Sequence, residues 1–241
     1  METILLEDIP FGVDGTRIER FLGKGAASGR GAFGEGLRHM ADQALAIGRP
    51  KALYRVCRIS SRGEDFVALE GQTFRSRVLA VNLEKAYRVF PFVATCGKDL
   101  ENWSASFGAE NEKMLARLVA MAALEAAVHA LSSHIREHHH PSGISMMNPG
   151  SLQDWPMAEQ RALFALLGDT GSAIGVRLKE NLLMEPEMSA SGLWFPTGQS
   201  FESCMLCSME ACPGRRAPYD RELFDRKYRK RSGGGEPEPA G

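Results

Sequence analysis

The sequence has no excess of either charge. Its 29 Lys and Arg against 30 Asp and Glu leave a formal net charge of −1 over 241 residues. That balance excludes a strongly basic nucleic-acid binder and an acidic disordered protein. No apolar run approaches the roughly 20 residues of a membrane-spanning helix. There is no internal repeat, no GxxxxGK[ST] phosphate loop and no HExxH zinc helix. Cysteine is scarce and odd in number: Cys57, Cys96, Cys204, Cys207 and Cys212. The first residues, Met-Glu-Thr-Ile-Leu-Leu-Glu-Asp, are acidic where an export signal is basic. Together these features point away from a disulfide framework and towards reduced thiols in a cytoplasmic protein.

What is present reads as an α+β chain, because helices and strands do not alternate regularly. Six glycines between residues 23 and 36 predict a loop. Residues 37–47 read as helix, and 51–58, 65–70 and 87–95 as strands rich in β-branched and aromatic residues. The clearest helix is 111–137, with an apolar stripe through Leu118, Met121, Leu124, Val128, Leu131 and Ile135. It is expected to end near His138–His139–His140–Pro141. A further helix is expected from Asp154 as N-cap through Met157–Leu167, stopped by Gly168. Residues 173–179 and 188–195 read as strands, and 233–241 (GGGEPEPAG, counted with its neighbours) as a disordered tail.

Several groups carry chemistry. Cys204-x2-Cys207-x4-Cys212-Pro213 places three thiols within nine residues. Thiolates suit zinc or an iron–sulfur cluster, and plain free thiols are the alternative. Glu125 falls on the apolar side of the best helix, four residues after Met121 and three before Val128. A carboxylate there is either a structural hydrogen-bond acceptor or a ligand-binding acid at a cleft edge. His134 and His138–His140 have a spacing that suits metal ligation, but a solvated loop beside Pro141 is the better reading. The run Arg226–Arg231 reads as a solvated C-terminal helix end. Asn148–Pro149–Gly150–Ser151 predicts a tight turn with exposed backbone groups.

The ordered set of segments 50–54 (PKALY), 94–101 (ATCGKDLE), the Glu125 helix ending in HIR, 148–150 with 154–156 (NPG, DWP), 174–178 (IGVRL) and 188–195 (MSASGLWF) resembles the activation domain of cobalamin-dependent methionine synthase and its stand-alone relatives. The resemblance covers residues 50 to 196. It implies a curved antiparallel sheet with flanking helices, binding S-adenosylmethionine in a shallow groove. The implied job is repair of a corrinoid held by another domain or protein. One electron and a methyl group from S-adenosylmethionine return inert Co(II) to methyl-Co(III), and removal of Co(I) by methylation draws the unfavourable reduction forward.

Carried over residue by residue, Glu125 matches the family's ligand-contacting acid on the long helix. Pro149 and Gly150 match the Pro-Gly of its Arg-x-x-Pro-Gly-Tyr motif, and Ser191, Gly192 and Trp194 match its Ser-x-Ser-Gly-aromatic strand. Met146 stands where the family has Arg, and Ser151 where it has Tyr. The lost Arg removes a donor fork suited to a carboxylate. The ligand is then either unserved or met by other residues, such as Lys179 or Arg177.

The resemblance divides the chain into a helical, Gly-rich segment (1–49) packing on the main domain, an activation-domain-like core (50–200), a Cys-rich C-terminal segment (201–232) and the tail (233–241). It makes the protein an accessory of a corrinoid (vitamin B12)-dependent methyltransferase system, with a corrinoid-binding protein or methyltransferase as partner and neither nucleic acid nor membrane. The corrinoid comes from that partner, since the chain has no DxHxxG lower-ligand signature. Cys204, Cys207 and Cys212 resemble a feature of stand-alone relatives in anaerobes and would carry an iron–sulfur electron donor. The alternative is a non-catalytic module that binds a corrinoid protein and uses a structural zinc site. A third reading, an unrelated iron–sulfur redox enzyme, rests on the cysteines alone.

Overall fold

The computed structural model describes residues 3–14, 32–212 and 214–229. The expected glycine-rich loop lies outside these residues between 23 and 31, and so do the tail and the last two residues of the basic run. Residues 32–36 are not loop: helix α1 spans Ala32–Ile47, so the glycines there are overridden by the apolar face that packs Leu37, Met40 and Ala44 inside.

The sheet is built on β6 (Arg88–Thr95), and all its pairings are antiparallel. On one edge lie β2 (Lys51–Arg55) and β3 (Cys57–Arg62). They keep one register along β6, with Lys51 opposite Thr95 and Cys57 opposite Val89. The ribbon breaks between them at the level of Pro91, a residue with no N–H to donate. β1 (Thr3–Leu6) adds outside β2, while β4 (Phe66–Leu69) and β5 (Gln72–Arg75) continue a meander from β3. On the other edge β10 (Ser189–Pro196) pairs with β6, and β7 (Ile144–Met147) pairs with the second half of β10.

Both faces of this sheet are covered, which explains why β6 reads as an unbroken apolar run instead of alternating. Its even-numbered residues Phe90, Phe92 and Ala94 share a cluster with Tyr54, Ala127, Leu131, Ile135 and Met146. Val89 and Val93 face the opposite side, with Leu53, Leu163, Trp155, Leu193 and Phe195. Helix α4 (Glu110–His139) lies on the first face. Its innermost line is Val119, Ala123, Ala127, Leu131 and Ile135, each fully buried and four residues apart. Met121, Leu124 and Val128 of the expected stripe are half-buried flanks. The alanines bring the helix axis close to the sheet. α4 is also long and apolar enough to cross a membrane by length and composition, contrary to the sequence reading, yet that apolar face packs on the sheet and on α1. It ends at His139, within the expected run, with His140 left-handed (φ 45°) just before Pro141.

The second face is closed by α2 (Arg77–Asn82), α5 (Gln160–Leu167) and the C-terminal segment. Asp154 does not cap its own helix. A 3-10 turn, Met157–Glu159, intervenes, and the Asp154 carboxylate instead accepts from the amides of Arg77 and Val78 (3.2 and 2.9 Å) and from the Ser76 hydroxyl. It caps α2 from across the chain, worth about 1 kcal/mol. Gly168 does stop α5 (φ +80°). Residues 173–179 are not one strand. Asp169 caps a short helix α6 (Thr170–Ile174) by accepting from Ser172 N–H, Gly175 ends it, and β8 covers only Arg177–Leu178. Capping signals at 169 and 175 outweigh the β-branched residues between them. β8 forms a small hairpin with β9 (Met184–Glu185).

The Cys-rich segment has a 3-10 turn, Ser203–Leu206, and a π-helical turn, Phe224–Tyr228. Tyr228 is fully buried, its hydroxyl donates to Asn82 Oδ1 (2.9 Å), and Lys227 reaches the same oxygen (3.0 Å). These two residues are therefore docked on α2 and are not part of a solvated helix end.

Candidate functional site

Of the residues singled out from the sequence, Pro149, Gly150, Ser191, Gly192 and Trp194 fall around one stretch of β10. Residues 189–192 pair with β6 on one edge and have no strand partner on the other among the described residues, because β7 joins only from Leu193 onward. The chain leaving β7 turns at Asn148–Pro149–Gly150 beside this open edge. Asn148 Nδ2 donates to Ser191 O (2.7 Å), and Gly150 N–H donates to Trp155 O (2.7 Å). Gly150 has a positive φ of 83°, which favours glycine. Gly192 is required by space: a Cβ there would strike the Met147 carbonyl and lie 2.8 Å from Asn148 Nδ2. The turn and the Ser-Gly strand are thus joined by the Asn148 side chain and by the close approach at Gly192.

Strand alternation divides the set. Gly192 and Trp194 face α4, while Ser191 faces the other side, buried, with its hydroxyl donating to Gln160 Oε1 (3.2 Å). That makes Ser191 a brace for the strand. Trp194 stands opposite Met146 of β7, and its indole N–H is buried without a hydrogen-bond partner. Pro149 is buried and Gly150 exposed. Ser151 closes the turn by donating to Asn148 O (2.7 Å).

Glu125 is half-buried on α4. It continues a row with Arg117 and Met121, four residues apart and so on one helix face. Met121 and Met188 pack against the same apolar cluster, which sets this row beside the start of β10. At the lower end of the row the surface opens into a cleft of about 430 Å³, bounded by α3 (Lys98–Ala105), α4, the β8–β9 hairpin and the lead into β10. Lys113, Arg117, Lys179, Glu101, Glu185 and Glu187 line it. The Glu101 carboxylate accepts from the consecutive amides of Glu187 and Met188 and so fixes the entry to β10. Sequence reading found Lys179 here through the missing Arg, but not the cleft, whose walls come from four separate elements. Arg177 lies elsewhere, packed over Gly171.

The three local cysteines are not grouped as metal ligands in this structure. Among the described residues no group of three His, Cys, Asp or Glu side chains is arranged to hold a metal ion. Cys204, Cys207 and Cys212 are half-buried, and the loop is organised by a guanidinium instead. Arg215 Nη1 donates to the carbonyls of Cys204 and Ala217 (2.8 and 2.9 Å), Nη2 to those of Cys207 and Met209 (2.8 and 2.7 Å), and Nε to that of Glu210 (3.3 Å). Cys204 Sγ accepts from Arg216 N–H at 3.5 Å. This arrangement lends no support to the iron–sulfur or the zinc expectation. The other two thiols are core residues, with burial pushing Cys57 up to about 11 and Cys96 up to about 12.

The histidine run is likewise not a solvated loop. Tyr54 is fully buried, and its hydroxyl lies 3.0 Å from both His134 Nδ1 and His139 Nε2. His138 stacks on His134 at 3.8 Å between ring centroids. Burial, ahead of neighbouring charges, holds His134 and His139 below the ordinary histidine value.

No family model matches the chain, and no curated protein sequence matches it. The architecture nevertheless defines a class: an antiparallel sheet with the open edge of a late strand beside a Pro-Gly turn and one long helix across a face. A solved structure with a similar fold is the crystal structure of the MetH reactivation domain bound to AdoHcy. The similarity covers 84% of this chain and 81% of that one, with a TM-score of 0.62 and 16% sequence identity. At that identity the likeness is one of fold, and it agrees with the fold implied by residues 50 to 196.

Proposed function

We propose that the protein binds an S-adenosyl ligand along the open edge of β10 and serves a corrinoid-dependent methyltransferase system by restoring the methylated corrinoid on a partner protein. The observation that carries this reading is the Asn148 side-chain bond to Ser191 O together with the close approach of Gly192 to the Met147 carbonyl, in a fold shared with a domain solved with AdoHcy. The unpaired strand edge offers backbone donors and acceptors to a nucleoside, the exposed turn at Gly150 lies beside it, and Glu125 presents a carboxylate from α4. The residues 50–200 then form the ligand-holding unit. The ligand's sulfonium supplies the methyl group. This chain's residues hold and orient it in a groove shallow enough for a second protein to approach.

Calorimetric titration with S-adenosylmethionine and AdoHcy tests the first half. Glu125→Gln is expected to weaken binding by about 1–3 kcal/mol, the worth of a charge-assisted bond. Unchanged affinity and unchanged Tm would remove Glu125 from the site. Methyl transfer to a reduced corrinoid protein tests the second half. A non-catalytic docking module is favoured by one observation only, the replacement of the family's Arg and Tyr by Met146 and Ser151. It predicts partner binding with no S-adenosyl ligand bound.

A further inference from the structure

In the cleft below the groove one cation makes no close ion pair among the described residues. Lys113 pairs with Glu110 (3.1 Å), Glu185 with Lys98 (2.9 Å), and Glu101 is spent on the amides of Glu187 and Met188. Arg117 reaches Glu187 only at 3.8 Å, between exposed side chains. Among the described residues Lys179 has no carboxylate within 4.0 Å; the carboxylate its charge reaches is Glu185, which Lys98 already binds, and Lys179 is half-buried in the cleft wall. Its place is set by backbone: Lys179 N–H donates to Leu183 O (2.9 Å) and Leu182 N–H to Lys179 O (3.0 Å) across the β8–β9 hairpin. Arg161 ties that hairpin to α5 through Glu180 O (3.0 Å). A lysine held on a braced turn, whose nearest carboxylate is already bound by Lys98, is poised for an anion from outside the chain.

The cleft is continuous with the groove along both walls. Glu187 and Met188 line it and lead directly into Ser189. From Met188 to Gly192 a strand rises about 13 Å. From Arg117 to Glu125 a helix rises about 12 Å. An elongated ligand with its nucleoside beside Gly192 therefore ends in the cleft.

We infer that this cleft receives the α-amino-acid head of the S-adenosyl ligand, with Lys179 binding its carboxylate and Glu187, held loosely by Arg117, binding its ammonium. This rests on the reading proposed above and adds the subsite. Lys179 supplies, from a different element, the cation that Met146 cannot.

The test compares four ligands by calorimetry on the intact chain: AdoHcy, S-adenosylmethionine, its decarboxylated form, and 5′-methylthioadenosine, which has no amino-acid head. Lys179→Ala is expected to weaken AdoHcy and S-adenosylmethionine by about ten- to a hundredfold, the worth of one charged hydrogen bond. It should leave decarboxylated S-adenosylmethionine and 5′-methylthioadenosine unchanged, and Lys179→Arg should restore most of the loss. Glu187→Gln should weaken the decarboxylated form but not 5′-methylthioadenosine. Because the hairpin bonds of Lys179 are backbone bonds, the variant should keep the native Tm. Native affinity for AdoHcy in Lys179→Ala, or an equal loss for 5′-methylthioadenosine, overturns the inference while leaving the proposed function standing. A native protein that binds none of the four overturns both.

Discussion

Two regions of the molecule gather residues that sequence alone brings close: the histidines at the end of α4 and the cysteines after β10. They are ordered in opposite ways. The histidine rings close on a buried side chain, the Tyr54 hydroxyl, which lies in a strand 80 and 85 residues away. The cysteine loop closes on its own backbone, whose carbonyls converge on the Arg215 guanidinium. In the first region the side chains are the structure. In the second they are carried by a structure made without them. Spacing in sequence shows that groups can meet; a polar partner with matching donors decides which atoms do.

The sharpest way to break this comparison is Arg215→Ala. It strands carbonyls of Cys204, Cys207, Met209 and Ala217 and should cost the segment about 2–4 kcal/mol of local stability. Hydrogen exchange over residues 203–217 should rise, while α4 and β6 stay protected. Arg215→Lys should not rescue, since an ammonium cannot span the same fork. Native protection in Arg215→Ala would mean that the thiols hold the loop after all. Tyr54→Phe comes next. It leaves His134 and His139 without their shared partner and should lower stability by about 1–2 kcal/mol in a urea titration, with the sheet intact. No change would make the two 3.0 Å contacts energetically idle.

The mildest expected effect is a pH dependence that belongs to the histidine region alone. His134 and His139 have folded-state values below the ordinary 6.5, so the unfolded chain binds more protons as acidity rises. Their contribution is fully present above pH 6.5 and is lost as pH falls through their lowered values. Arg88 and His138 oppose charging of His139, and His138 opposes that of His134, while Glu137 favours it. Melting temperature should therefore drop between about pH 7 and pH 5. In His134→Gln/His139→Gln that slope should flatten. A slope of equal steepness in the double variant would place the acid sensitivity elsewhere.

The sequence made the long elements legible, because periodicity reports burial directly. Residues 51–58 span β2 and the start of β3 with a break at Val56, 87–95 and 188–195 match β6 and β10 to within a residue, and 111–137 lies inside α4. Short elements were decided by caps, and one cap was misassigned: nothing local to Asp154 shows that its carboxylate serves α2. The site divides in the same way. Gly150 and Gly192 were visible as residue types with few alternatives. The cleft was not, because Lys179, Arg117, Glu101 and Glu187 sit on elements with no common pattern and meet only in the fold. The same holds for Tyr54 and His139.

The cap that joins Asp154 to α2 also sets an order of events in biosynthesis. Residues 76–78 leave the ribosome long before residue 154, so α2 is completed at its N-terminus only when the second half of the chain arrives. Until then the amides of Arg77 and Val78 have no carboxylate, and the neighbouring β4–β5 hairpin lacks the layer that α5 and Trp155 provide. Such a long-range closure is slow relative to local pairing. The nascent first half is therefore the stage at which the apolar face of β6 stands open to a chaperone or to a second chain.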